Sequence, residues 1–119
     1  MAFEQVWKSV TGVPAVDLKD HRYAFVKYTE DGKIVPAKTG DYAIGVNYEP
    51  NNVDEPSQVV AQGYAFIILG EEISAGTPVM SNDDGHAVAH TAAAEGTNHV
   101  LGVLAVGGEA GDIGTILLR

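Results

Sequence analysis

Apolar positions along the chain come in short runs, several of them alternating, and glycine, proline or Asp-Gly separates one run from the next. The clearest case is Val79-Met80, an Asp83-Asp84-Gly85 turn, then His86, Val88 and His90 alternating with Ala87 and Ala89. Asp-Gly between alternating runs is a strong hairpin signal, because the tight turn needs positive φ at its central residues. Tyr23–Tyr28 is aromatic and β-branched and predicts a strand; Glu30-Asp31-Gly32 turns it, Lys33–Val35 leads back, and Pro36 ends the ladder for want of an N–H. Gly40-Asp41 predicts a bend and Tyr42–Val46 a third strand, with Gly45 inside it as a bulge or close backbone approach. Asn47–Ser57, with its prolines, asparagines and acids, predicts the longest surface loop. Gln58–Leu69 is too long for one straight strand, so Gly63 is expected to divide or bend it. Gly70–Pro78 predicts a turn-rich connection and Gly111–Leu118 a closing strand. Helical propensity is confined to about one turn at Thr91–Glu95, which Gly96 stops. The expectation is an all-β barrel or sandwich-like domain.

The pattern repeats. Strand, Asp31-Gly32, strand, bend, Ile44-Gly45-Val46, loop and strand is followed by strand, Asp84-Gly85, strand, bend, Leu101-Gly102-Val103, loop and strand. From hairpin glycine to strand glycine is 13 residues in the first half (45 − 32) and 17 in the second (102 − 85), the four extra falling in the Ala-rich bend. Insertions cost little in a surface bend. This order predicts a pseudo-two-fold β domain over residues 22–119, with halves at about 22–70 and 71–119, in which each half covers the other's apolar face.

Residues 1–21 stand apart as an N-terminal arm. Phe3, Val6, Trp7, Val10, Val13, Val16 and Leu18 are apolar, but Gly12 and Pro14 break any helix their spacing would start. A short amphipathic turn over Phe3–Val10 followed by an extended piece is expected. Such a segment either completes the domain's own core or lies on a neighbour, and Trp7, the only tryptophan, suits both roles.

Composition narrows the chemistry. At 119 residues, 45% apolar and 19% charged, the chain has the size and make-up of one soluble globular domain. No run approaches the roughly 20 apolar residues of a membrane span, and MAFEQVWKSV lacks the basic start and apolar stretch of a signal peptide. The expectation is a protein made in the cytoplasm that does not bind membrane. A net charge of −9, with seven basic residues scattered among sixteen acids, argues against nucleic-acid binding. The absence of cysteine excludes disulfides, thiolate metal sites and cysteine catalysis.

The remaining candidates for chemistry are weak. His86 and His90 share one side of a strand but lie roughly 13 Å apart at about 3.3 Å per residue, too far for two ligands of one zinc ion. Asp83-Asp84-Gly85 lacks the rest of a calcium loop, and Glu71-Glu72 and Asp54-Glu55 are adjacent residues that face opposite ways on a strand. Ser9, Ser57, Ser74 and Ser81 have no nucleophile-elbow context, and the glycines from 102 to 114 form no dinucleotide fingerprint. No catalytic, metal or cofactor-binding residue is expected, and an enzyme is not.

AGTPVMSNDDGHAVAH (75–90), VLGVLAVGGEAGDIGTILLR (100–119) and YAFVKYTEDGKIVPAKTGDYAIGV (23–46) together resemble the small capsid decoration, or cement, proteins of tailed bacteriophages. The resemblance covers roughly residues 22–119 and leaves the arm outside. It implies a compact β-barrel or β-clip-like domain that forms homotrimers. It also implies binding to the outside of an icosahedral head, at three-fold and quasi-three-fold positions where subunits of the major capsid protein meet, and stabilisation of the lattice. Members of this group commonly use an N-terminal segment in capsid contact, which points to Phe3, Val6, Trp7 and Val10 as partner-contact residues. Another class is a non-catalytic β module: a carrier, with Lys33 after its Asp-Gly turn, or a carbohydrate binder using Tyr42 and Tyr48.

Overall fold

The computed structural model describes residues 2–119, and over these the alternating runs form nine strands and no helix. They are β1 (Gln5–Gly12), β2 (Ala24–Tyr28), β3 (Ile34–Pro36), β4 (Gly45–Glu49) and β5 (Ser57–Ile68). Then come β6 (Pro78–Ser81), β7 (Ala87–Ala89), β8 (Gly102–Val106) and β9 (Ile113–Leu118). The fold is all-β, one sheet curled into a half-barrel. Its order is β3-β2-β4-β5-β9-β8-β6-β7, with β1 also paired to β5. Leaving β1 aside, the order is palindromic, with β5 and β9 at the centre and a hairpin at each edge.

The repeat holds at the level of single residue pairs. Val26↔Pro36, Lys27↔Val35 and Tyr28↔Ile34 recur 53 residues later (79 − 26) as Val79↔Ala89, Met80↔Val88 and Ser81↔Ala87. After the four-residue insertion the offset becomes 57 (103 − 46). Val46↔Val60, Asn47↔Val59 and Glu49↔Gln58 recur as Val103↔Leu117, Leu104↔Ile116 and Val106↔Thr115. Even the irregularity repeats, at Tyr48 in β4 and Ala105 in β8. Gly45 and Gly102 are counterparts for a shared reason: a Cβ at either would run into the carbonyl oxygen of the strand alongside, Val60 or Leu117.

β1 completes this symmetry from the other end of the chain. Val59 pairs with both Asn47 and Val10, and Val60 with both Val46 and Ser9, so β4 and β1 flank β5 on opposite edges there. Gly63 to Ile68 of β5 pair with β9. β1 also reaches Gly63 and Tyr64, so over those two residues β1 and β9 both pair with β5. The outer hairpins are closed in matching ways, by parallel bridges Pro14↔Ile34 after β1 and Leu69↔Ala87 after β5. These bridges occupy strand edges that would otherwise be open to other chains.

Two apolar clusters result. The smaller holds Leu18, Val26, Ile34 and Val59, with Val10 and Ile44 packed against it. The counterparts of its buried members, Ile73, Val79, Ala87 and Ile116, belong to the main cluster, which also takes in Phe25, Val46, Val60, Ile67, Leu69, Leu104 and Leu118. Full burial of such side chains contributes about 1.5–3 kcal/mol each, so Leu18, wholly buried, fixes the 13–21 connection onto the sheet.

Several expectations are corrected. Residues Phe3–Val10 form no amphipathic turn, since Gln5 to Gly12 are extended and paired with β5; long-range pairing outweighs local spacing. β4 begins at Gly45 and runs through Glu49, three residues later than the expected Tyr42–Val46 strand, and it absorbs polar residues read as loop. Asn47 is fully buried there because Ala24 and Val59 pair with it from either side. Thr91–Glu95 is not helical: an isolated turn lacks the bonds to offset its nucleation cost. The bend is pinned by side chains instead, with Asn98 Nδ2 donating to Thr91 O and His90 Nε2 lying 2.8 Å from Asn98 O.

Candidate functional site

The four residues singled out in the N-terminal segment divide by strand geometry. Phe3, Val6 and Trp7 are exposed, Trp7 at 57%, whereas Val10 is half-buried against the smaller cluster. Trp7 has no partner in the ladder: Val6 is opposite Gly63 and Lys8 opposite Gln62, a bulge that re-aims its side chain. Tyr64 of β5 gathers the aromatics, its ring centroid 5.0 Å from Phe3 and 5.8 Å edge-on from Trp7. Phe3 is fastened by backbone as well. Its N–H donates to Thr115 Oγ1 at 2.8 Å, and the same hydroxyl donates to its carbonyl at 2.7 Å. The aromatic group is thus held in place by its own chain, while Phe3 and Trp7 remain exposed.

This group continues into a second apolar area. Tyr64 pairs across the sheet with Leu117, and Leu117 with Val103, so the three share a face. Leu117 and Val103 are half-buried, and Val100 beside them is 53% exposed. A cleft of about 230 Å³ runs between Val100, Leu101, Val103, Leu117 and Arg119. It adjoins another of about 130 Å³ in which counterparts meet: Ala43 and Val100, Ile44 and Leu101, Ala61 and Leu118. At its mouth the counterparts Tyr42 and His99 stack edge to face, 5.7 Å between centroids. This cleft marks the pseudo-two-fold axis.

The polar groups tie the halves together. The second hairpin's tip docks on the first half, where Phe25 N–H donates to Gly85 O at 2.8 Å and Gly40 N–H to Ser81 O at 3.0 Å. Asp83 Oδ1 accepts from Thr39 Oγ1 at 2.7 Å and from Thr39 N–H at 3.1 Å, and these bonds hold its carboxyl below the ordinary value. Burial raises the Asp41 carboxyl, but Lys27, 2.6 Å away, and the Lys38 N–H outweigh it and leave the value lowered. The other candidates are placed apart. Lys33 pairs with Asp54 at 3.0 Å; Tyr48 packs on the main core while Tyr42 is 69% exposed, so the two tyrosines form no row. Among the described residues no three His, Asp or Glu side chains converge in a way that could hold a metal ion.

No protein-family model and no curated protein sequence matches this chain. A solved structure does: the crystal structure of the head fiber gp8.5 N base in bacteriophage phi29. It superposes with a TM-score of 0.72 at 19% identity, over 94% of this chain and 93% of that one. The likeness spans nearly the full length of both chains, and the two have the same fold.

Proposed function

We propose that this chain is a structural protein of a phage virion that attaches to the outside of the icosahedral head. The observation that carries this reading is the fold shared, over nearly the whole chain, with a base of a phage head fiber. The residues add support. Val6 and Trp7 present apolar surface on a strand already ordered by β5, and Phe3 just before it is held by Thr115, so little conformational entropy is lost when a partner covers them. The acidic exterior suits a soluble protein displayed on a shell. In this reading the partner is the major capsid protein, the chain acts as a homotrimer at three-fold and quasi-three-fold positions, and it does no catalysis. Binding only the assembled lattice stabilises that lattice by mass action, and several modest contacts per trimer act together.

The test is co-sedimentation with purified heads, comparing the native chain with Phe3→Ser/Trp7→Ser. Both positions are exposed, so the variant keeps its fold. Deleting residues 1–21 is a poorer test, since it removes Leu18 and Val10 from the smaller cluster. The double variant is expected to bind at least 100-fold more weakly, about 1.4 kcal/mol per tenfold step. Undiminished binding would place the contact elsewhere, and heads that never retain the native chain would remove the reading.

A further inference from the structure

The two halves share a backbone but not their surroundings. Phe25, Val46 and Val60 are fully buried in the main cluster. Their counterparts in the second half, Pro78, Val103 and Leu117, are exposed or half-exposed. The imbalance has a local cause. On the first side the axis cleft is filled by Phe25 and Leu118, and on the second side the corresponding positions are the smaller Pro78 and Ala61. What remains is an apolar face around Val100, Val103 and Leu117, rimmed by Arg119.

We infer that a second copy of this chain covers that face. The inference rests on the homotrimer reading above and assigns the surface that makes it. Its first support is charge. Two chains of net charge −9 repel each other, and they meet at least cost where neither carboxylates nor burial of acids intervene. None of the residues lining this cleft bears a carboxylate side chain, and Arg119 at the rim is complementary to the acid-rich remainder of a neighbour. The second support is precedent within the chain, because the equivalent face of the first half is already covered by the same fold. The contact is heterologous. Each copy offers this face to a different surface of the next, and rotation about three-fold symmetry closes the ring.

The test is the native mass of the purified chain over a wide concentration range, alone and after binding to heads. Val100→Glu places an acid at an exposed position without touching the core, and an unchanged thermal melt of the diluted protein confirms its fold. Tyr28→Glu, at another exposed position in the first half, is the control. The expected result is a trimeric native chain, a control that stays trimeric, and a Val100→Glu variant that dissociates at tenfold or higher concentration. Trimers that survive Val100→Glu would overturn the assignment of this face while leaving the trimer intact. A native chain that is monomeric both in solution and when cross-linked on heads would overturn both. A trimer that Val100→Glu dissociates but that never binds heads would uphold this inference and defeat the virion reading.

Discussion

The hairpin tips at Asp31-Gly32 and Asp84-Gly85 are the same turn in two situations. Gly32 and Gly85 have φ of 78° and 77°, and the strands on either side pair in the same register. The first tip stands in solvent, and nothing lies within 4 Å of where a Cβ on Gly32 would be. The second is folded onto the first half, its carbonyl bonded to Phe25 and Asp83 bonded to Thr39. The difference lies in the receiving strand. Phe25 has an N–H to give, whereas its counterpart is Pro78, which has none. The counterparts of Lys38 and Thr39 are Thr91 and Ala92, at the start of the inserted bend. A repeat can thus keep its backbone while one interface is retained and its mate is lost through a few side chains.

The largest expected effect comes from placing a side chain at the docked turn. A Cβ at Gly85 would lie 3.0 Å from Phe25 O in a conformation that L residues disfavour. Gly85→Val is therefore expected to destabilise by about 3 kcal/mol in urea unfolding. Equal losses at the two turns would erase the distinction between them. Next comes Asn47, whose amide oxygen and nitrogen are buried without a protein partner, at the position that Leu104 fills in the other half. Leucine has the same branching, so Asn47→Leu is expected to raise the unfolding free energy by about 1–2 kcal/mol. A loss would show that the amide is satisfied by bound water.

Gly32→Ala meets backbone strain but no neighbour, and about 1 kcal/mol of destabilisation is expected from the same urea titration. The smallest effect is electrostatic. Asp83 is held below the ordinary carboxylate value in the fold, so its contribution is complete above the unfolded pKa of about 3.9 and is lost as pH falls through the lower folded value. Asp83→Asn is expected to weaken the acid dependence of the melting temperature below about pH 4, and an unchanged acid limb would show that the Thr39 bonds do not set it.

Much of the fold was legible because its signals are local. Asp-Gly turns and the aliphatic-Gly-Val motifs around Gly45 and Gly102 are set by φ and by close backbone approach, which residue type reveals directly. What escaped depends on partners far along the chain. Asn47–Glu49 looked like loop until β2 and β5 enclosed them, and Gln5–Gly12 became a strand only because β5 accepts it. Of the candidate contact residues, Phe3, Val6 and Trp7 are exposed, a feature that apolar residue type by itself does not reveal. The turning of Val10 inward follows from the bulge at Trp7 and the register with Val59, which no local pattern encodes. The open face at Val100, Val103 and Leu117 was hidden for a related reason: apolar strand residues look alike whether or not the facing layer reaches them.

The pairing of β1 with β5 also bears on the order in which the molecule takes shape during synthesis. β1 emerges first, but the residue opposite Val10 is Val59, so its ladder waits for some fifty further residues. Once β5 has emerged, β1, β2, β3 and β4 have all their ladder partners, and the first half closes around Leu18, leaving Gly63 to Ile68 of β5 to pair with β9. The second half then assembles on a template already in place. Until β5 arrives, the nascent chain carries Phe3, Val6 and Trp7 on an unpaired segment, the interval in which strand exchange between neighbouring chains competes with folding.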